Sequence, residues 1–369
     1  MKILYVTTIS NTINAFLVPH IKALIKQGHQ VDIACNINQD VNPEIVKLGC
    51  SIYNIEFSRS PISFNNYHAY KKLLKLIILE KYNIIHTHTP IASVCVRLAR
   101  RKVKGLKVIY TAHGFHFFKG APLKNWLIYY PIEKWLSKYT DVLITINNED
   151  FLRAKKSFNA RKVHVIPGIG LDVKKMEEVG IDYQKKRSEF GIDKTAFVLL
   201  TVGELNSNKN QETIIKSLAK LDDSNIKLLI CGEGPLKDYL EKLAKELGVD
   251  KQVMLLGYRK DIPEICKVSD LFMFPSKREG LGMAALEAMA CGLPIITSNI
   301  HGITDYSING ITGYVCDPND INKFVESIRD LKNNAKLREK IRRENIKRVK
   351  KYDLENSIRI MSNIYKEEI

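Results

Sequence analysis

The chain has 369 residues, 45% of them hydrophobic and 26% charged, with a formal net charge of +17. That length exceeds what one hydrophobic core usually serves, so two domains are expected, and the balance excludes a disordered chain. No apolar run approaches the ~20 residues of a membrane-spanning helix; stretches such as 73-LLKLIILE-80 are short and broken.

The charge is unevenly spread. Residues 1–175 hold 26 Lys+Arg against 10 Asp+Glu, while residues 176–369 hold 31 against 30. The N-terminal half is therefore expected to face something anionic: nucleic acid, a phospholipid surface or a phosphorylated substrate. The seven cysteines are scattered and form no C-x-x-C pair. They argue against a disulfide framework and for a reducing, cytoplasmic compartment.

In chain order, MKILYVTTIS lacks the apolar length and cleavage pattern of a signal peptide and reads as a buried first strand, 3-ILYVTT-8. The run 16-FLVPHIKALIKQG-28 spaces its apolar residues by three and four and stops at Gly28, as a helix does. The segments 30-QVDIAC-35, 83-NIIHTH-88, 107-KVIYTAH-113, 141-DVLITI-146 and 163-VHVIP-167 are further strands, with helical patterns between them. Residues 173–195 are charged and strandless, a linker with a short helix. The series then restarts with 197-FVLLTVGEL-205, 226-IKLLICGEG-234, 253-VMLLGY-258, 270-DLFMFPS-276, 294-PIITSN-299 and 313-GYVCD-317. Alternating β and α signals predict parallel sheets covered on both faces. The expected fold is α/β: two Rossmann-like, doubly wound domains, 1–172 and 173–351, facing a central cleft. The amphipathic tail 352–369 is expected to pack back on the first domain.

Open α/β sheets bind ligands at the carboxyl ends of their strands. There the chain places 276-SKREGLG-282, followed by a helix from about Met283 to Ala290 that Gly292 stops. Glycines let a backbone approach a ligand closely, and the amides that open a helix attract anions. A phosphate fits there. Glu287 beyond it can accept hydrogen bonds from ribose hydroxyls, and Glu279 can do the same for a sugar. Two further loops belong to the same edge: 202-VGELNSNKN-210, whose Lys209 can reach a diphosphate, and 231-CGEGPL-236. Neither is a P-loop.

Glu279 and Glu287 form an E-x7-E motif within 279-EGLGMAALEAMACGLP-294, and this block resembles the signature of the family 4 retaining glycosyltransferases of GT-B fold. The resemblance runs over essentially the whole chain, through 86-HTHTP-90, 111-TAHGFHF-117, 203-GELNSNKN-210, 232-GEGPL-236, 257-GYRKDIP-263, 310-GITG-313 and the closing helix with Tyr365. It is nearest to the bacterial capsule, exopolysaccharide and lipid-linked oligosaccharide branch. The resemblance implies a UDP-sugar donor on the second domain and a polyprenyl-diphosphate-linked saccharide acceptor on the first. It implies α-retaining transfer in which the leaving phosphate acts as base, with no metal and no cofactor. It assigns His113, Glu279 and Lys209 to catalysis. Donor binding falls to Asn11 in the loop 9–16, to Gly203, Glu204 and Gly232, to Tyr258 and Arg259, and to Arg278, Gly280, Leu281, Gly282, Met283 and Glu287. Glu204 stands where the family pattern has Arg, so the second diphosphate cation is Arg278, Lys277 or Arg259.

The acceptor side is basic and aromatic. Helix 97-RLARRKVKGLK-107 carries six basic residues, Arg100 and Arg101 among them, and 115-FHFFKGAPLKNWLIYYPIEKW-135 gathers Phe117, Phe118, Lys119, Lys124 and Trp126. Rings interleaved with Lys suit an anionic membrane surface, which predicts peripheral attachment to the inner face of the membrane. The histidines of 86-HTH-88 are expected to alternate faces, which disfavours a shared metal. No helix-turn-helix, RRM or KH signal supports a nucleic-acid partner, and a missing G-x-G-x-x-G disfavours a dehydrogenase. A UDP-sugar 2-epimerase of the same architecture is the alternative enzyme.

Overall fold

The computed structural model describes residues 1–368. The chain divides into two compact units, Met1–Gly170 with the terminal helix Leu354–Glu368, and Leu171–Asp353. The divisions fall at 170/171 and 353/354, against the expected 172/173 and 351/352.

The first unit holds a seven-stranded sheet: β1 (Lys2–Ile9), β2 (Gln30–Asn36), β3 (Ile52–Asn54), β4 (Ile84–His88), β5 (Lys107–Ala112), β6 (Val142–Thr145) and β7 (Lys162–Val165), in the order β3-β2-β1-β4-β5-β6-β7. The second holds β8 (Phe197–Val202), β9 (Ile226–Cys231), β10 (Val253–Gly257), β11 (Leu271–Phe274), β12 (Ile295–Ser298) and β13 (Gly313–Cys316), ordered β10-β9-β8-β11-β12-β13. Every pairing in both sheets is parallel. The central strands read as apolar, β-branched runs because helices bury both faces; Ile3 to Val6, Ile84, Ile85 and Leu271 to Phe274 are all essentially inaccessible. The order of strands reverses between β1 and β4 and between β8 and β11, which sets a crevice at the carboxyl end of each sheet.

Four local features differ from the sequence reading. Strand β3 is three residues long at the sheet edge, too short to show a period of two. Of the stretch 9–16, Ile9 ends β1 and the rest is helical, not a loop: Ser10–Thr12 leads into a π-type turn, Ile13–Leu17, and then helix Val18–Lys26. Pro19 has no amide hydrogen for the carbonyl four residues back, and the helix widens just before it. The helix read over 97–107 is instead Pro90–Arg100, followed by a turn at Gly105 with φ +78°. The charged linker contains two short helices, Val173–Glu177 and Tyr183–Glu189, each begun by an aspartate that accepts a backbone N–H.

Two contacts hold these frames. In the first unit Arg97 is buried and donates to both carboxylate oxygens of Glu133, at 2.7 and 3.1 Å, and to the Ser93 hydroxyl at 2.9 Å. This joins helix Pro90–Arg100 to helix Leu123–Ser137. In the second unit the loops after β8 and β9 lie backbone on backbone. The amide of Gly203 donates to Cys231 at 2.9 Å and that of Leu205 to Glu233 at 2.9 Å. A Cβ on Gly232 would stand 2.0 Å from the Gly203 carbonyl oxygen, at φ +144°.

Glu133→Ala strands a buried guanidinium and is expected to lower unfolding free energy by about 3–5 kcal/mol in a urea titration, with much of the loss recovered when Arg97→Met is added. Gly232→Ala must push the two loops apart and is expected to destabilise by at least about 1–3 kcal/mol, read as a lowered thermal midpoint.

Candidate active site

In the second unit, the loops after β8 and β11 flank the reversal of strand order and bring two distant residues together. Lys209 Nζ lies 2.5 Å from Glu279 Oε1, and both side chains are largely buried. Asn208 ties the loops: its side-chain amide donates to the Arg278 carbonyl at 2.9 Å, and its own carbonyl accepts the Lys277 amide at 2.7 Å. Asn210 takes the left-handed conformation, φ +57°, and donates to the carbonyls of Pro275 and Pro318. Sequence reasoning passed over both asparagines, although Asn is the non-glycine residue that best tolerates that conformation. Glu279 is thus not a solvated loop tip but half of a sheltered ion pair.

Gly282 caps helix Met283–Ala290 at φ +88°, and a Cβ there would stand 2.6 Å from the Phe274 ring and 3.0 Å from the Tyr306 hydroxyl. The cap gives no side-chain hydrogen bond to the opening amides, so the first turn at Met283 keeps donors for a ligand. The Leu281 side chain is core, 3% exposed, which leaves only its backbone for binding. Gly280 and Glu287 flank this turn. Glu287 is half-buried, and burial alone pushes its carboxyl up to about 7. Gly203 needs its missing side chain for the Lys209 stem, whose Cε would be 3.1 Å from a Cβ.

The remaining predicted donor residues separate. Arg259 is paired with Asp261 and Glu189, at 2.5 and 2.8 Å. Lys277 lies 3.8 Å from Glu212. Arg278 makes no ion pair among the described residues and is half-buried beside Glu279. Glu204 and Tyr258 are exposed. In the first unit Asn11 is exposed and its side-chain oxygen accepts from Gln39 at 2.8 Å.

The first unit gathers a row of rings at the carboxyl ends of β1, β4 and β5. His86 and His88 share one face, because residues two apart in a strand always do; their centroids are 4.3 Å apart, which corrects the expectation of alternate faces. Tyr5 stacks on His88 at 5.5 Å. His88 Nδ1 is 3.1 Å from His113 Nε2, and His86 lies 2.7 Å from the Tyr365 hydroxyl and 2.8 Å from that of Thr111. Burial, then the nearness of His20, pushes His113 down to about 4, and burial holds His86 and His88 well below the usual imidazole range. All three are neutral at physiological pH. Among the described residues no group of three or more His, Cys, Asp or Glu has the arrangement of a metal site.

The basic and aromatic face is redrawn. Phe117 and Phe118 are buried, and Phe117 packs with Phe115, Trp126 and Tyr130, so these rings are core and not a surface for lipid. Half-buried Trp126 is covered by the Arg153 guanidinium at 4.4 Å. Arg100 reaches Asp141 at 3.7 Å, whereas Arg101, Lys119 and Lys124 are exposed. The apolar residues that do face outward on helix Leu123–Ser137 are Leu123, Leu127, Ile128, Ile132 and Trp135.

Comparison with known proteins adds the family. The family model described as glycosyltransferase family 4 matches residues 16–170, and that of glycosyl transferases group 1 matches residues 182–348. EpsD of Bacillus subtilis (strain 168) is 37% identical over 99% of this chain and 96% of its own. The UDP-Gal:alpha-D-GlcNAc-diphosphoundecaprenol alpha-1,3-galactosyltransferase of Escherichia coli is 33% identical over 69% of this chain and 68% of its own. Among solved structures, Anabaena HepE in complex with UDP and glucose shares the fold with a TM-score of 0.82 at 18% identity, each chain covered in full. The chain belongs to the family 4 glycosyltransferases and has their GT-B fold, with two wholly parallel α/β sheets.

Proposed function

We propose that this enzyme transfers a hexose or N-acetylhexosamine, with retention, from a UDP-sugar to a polyprenyl-diphosphate-linked saccharide during assembly of a surface polysaccharide, forming an α-glycosidic bond. The observation that carries the reading is the Lys209–Glu279 pair beside the open first turn at Met283. A diphosphate bound on those amides draws Lys209 toward itself and stabilises the charge that develops on the leaving group. Glu279 is then free to accept from hydroxyls of the donor sugar. Arg278 is the cation best placed to serve the second phosphate. Glu287 receives the ribose hydroxyls, and His113 contacts the donor sugar or the incoming hydroxyl. Donor and acceptor classes follow the names of the relatives: the Escherichia coli protein pairs UDP-Gal with a diphosphoundecaprenol acceptor, and HepE is seen with UDP. The leaving phosphate serves as base, and with Lys209 and the helix amides taking up its developing charge the reaction needs no metal.

The test is nucleotide release from a panel of UDP- and GDP-sugars, with and without a polyprenyl-diphosphate sugar in detergent. UDP release from one donor, dependent on the lipid, is the expected result. Glu279→Ala is expected to cut turnover by at least about 10²-fold while UDP still binds. Interconversion of UDP-sugars without acceptor would instead establish an epimerase.

Glu287 gives a pH signature. Ribose hydroxyls donate to a carboxylate, so UDP selects the ionised form. With the free carboxyl raised to about 7, each pH unit below that value should weaken UDP binding by up to about tenfold. Glu287→Gln should bind weakly at all pH values and lose this part of the slope, as measured by calorimetry between pH 5.5 and 8.5.

Helix Leu123–Ser137 presents its exposed apolar stripe with Lys124, Lys134 and Lys138 alongside, and Arg101 and Lys138 lie over the Trp135 ring at 5.6 and 5.4 Å. Among the described residues no helix is long and apolar enough to cross a membrane. The face suits peripheral attachment to the anionic inner surface of the cytoplasmic membrane. Co-sedimentation with vesicles containing anionic phospholipid is expected to fall at least about tenfold for the pair Leu127→Glu, Ile128→Glu, and to weaken with salt.

A further inference from the structure

His88 enters no step of the proposed reaction, yet it makes the polar contact that His113 has inside the fold. We infer that His88 is a positioning residue that locks His113 in the Nδ1–H tautomer, so that His113 offers substrate a hydrogen-bond donor and not a base.

The inference rests on where the protons can go. His88 Nδ1 and His113 Nε2 are 3.1 Å apart, so one of the two must carry the shared hydrogen. The other nitrogen of His88, Nε2, is buried with no hydrogen-bond partner. A proton on Nε2 would leave a bare N–H in the core, the rarer and costlier kind of orphan. A proton on Nδ1 leaves a bare lone pair instead. His20 illustrates the same choice in this unit. Its Nε2 is 2.7 Å from the Ile169 carbonyl, which can only accept, so the proton is on Nε2 and the unpartnered Nδ1 is a lone pair. His88 therefore donates from Nδ1, His113 Nε2 accepts, and neutral His113 must carry its own proton on Nδ1. No described group bonds that nitrogen, and His113 is partly exposed.

The ring of His88 is held from every side. His86 stacks on it at 4.3 Å and Tyr5 at 5.5 Å, while Tyr365 and Thr111 fix His86 from behind. The next residue, Thr89, has φ +68°, unusual for a β-branched residue, and its hydroxyl accepts the Thr8 amide at 3.0 Å. An Nδ1–H aimed outward recognises an oxygen lone pair, on a sugar hydroxyl or on a phosphate. It cannot accept the proton of an attacking hydroxyl. The functional arm rests on the proposed transfer; the tautomer itself does not.

The experiment is two-bond ¹H–¹⁵N correlation NMR on the full chain labelled with ¹⁵N-histidine, recorded from pH 6 to 8, with His113→Asn and His88→Asn used for assignment. The expected result is that His88 and His113 both carry their proton on Nδ1 throughout. An Nε2–H tautomer of His113, or an imidazolium, overturns the inference. In the transfer assay, His88→Leu is expected to lower kcat by roughly 10²-fold with little change in donor KM. His88→Asn, whose amide can still donate to Nε2, should recover at least about tenfold of that loss. Equal losses in both variants would also overturn it. If no sugar is transferred but the NMR result is as expected, the tautomer stands and the proposed reaction falls.

Discussion

In a wholly parallel sheet every strand ends at the same edge, and the chain must return through a helix before it can begin the next. That one constraint gathers loops far apart in sequence onto a single rim. Lys209 and Glu279 are seventy residues apart and meet because β8 and β11 are neighbours at the point where strand order reverses. His88 and His113 meet because β4 and β5 are adjacent. The chemistry of each unit is a consequence of topology before it is a consequence of any side chain.

The rim must also be dense, and this is where glycine acts. Gly232 against the Gly203 carbonyl and Gly282 against Phe274 are places where a Cβ has no room. Close packing there has two effects. It shelters the Lys209–Glu279 pair, and it leaves Glu287 in surroundings that disfavour its charge. A carboxylate that is uncomfortable alone gains most from donors brought by a ligand. The free site is therefore less settled than the occupied one, as expected where binding energy is used to organise a reaction.

The two-layer α/β plan was legible because buried parallel strands announce themselves as β-branched runs between helical periods. The E-x7-E block was legible because loop, helix and glycine stop occur together. Other features carried no such signal. Ring burial at Phe117 and Phe118 is set by the partners Phe115 and Tyr130, and a sequence shows only that aromatics are close by. Arg97 read as a surface cation until Glu133, thirty-six residues on, was found to neutralise it. Arg259 is the same case in part: Asp261 is only two residues on, but Glu189 lies seventy residues back, in the linker. The shared face of His86 and His88 was readable from strand periodicity alone. His88's partner was not, since it follows the end of another strand.

The tail of the chain has a consequence for biogenesis. The Tyr365 hydroxyl, in helix Leu354–Glu368, lies 2.7 Å from His86 in the row of rings and donates to the Tyr5 hydroxyl, and the Ser357 hydroxyl donates to the Gly168 carbonyl at 2.8 Å. A ribosome delivers residues 1–170 long before it delivers these groups. Until that helix emerges, His86 lacks its phenol partner. Residues 1–170 are thus completed only by a helix made after the whole second unit, and a chain lacking the last two turns of helix Leu354–Glu368 would leave the first unit without Tyr365.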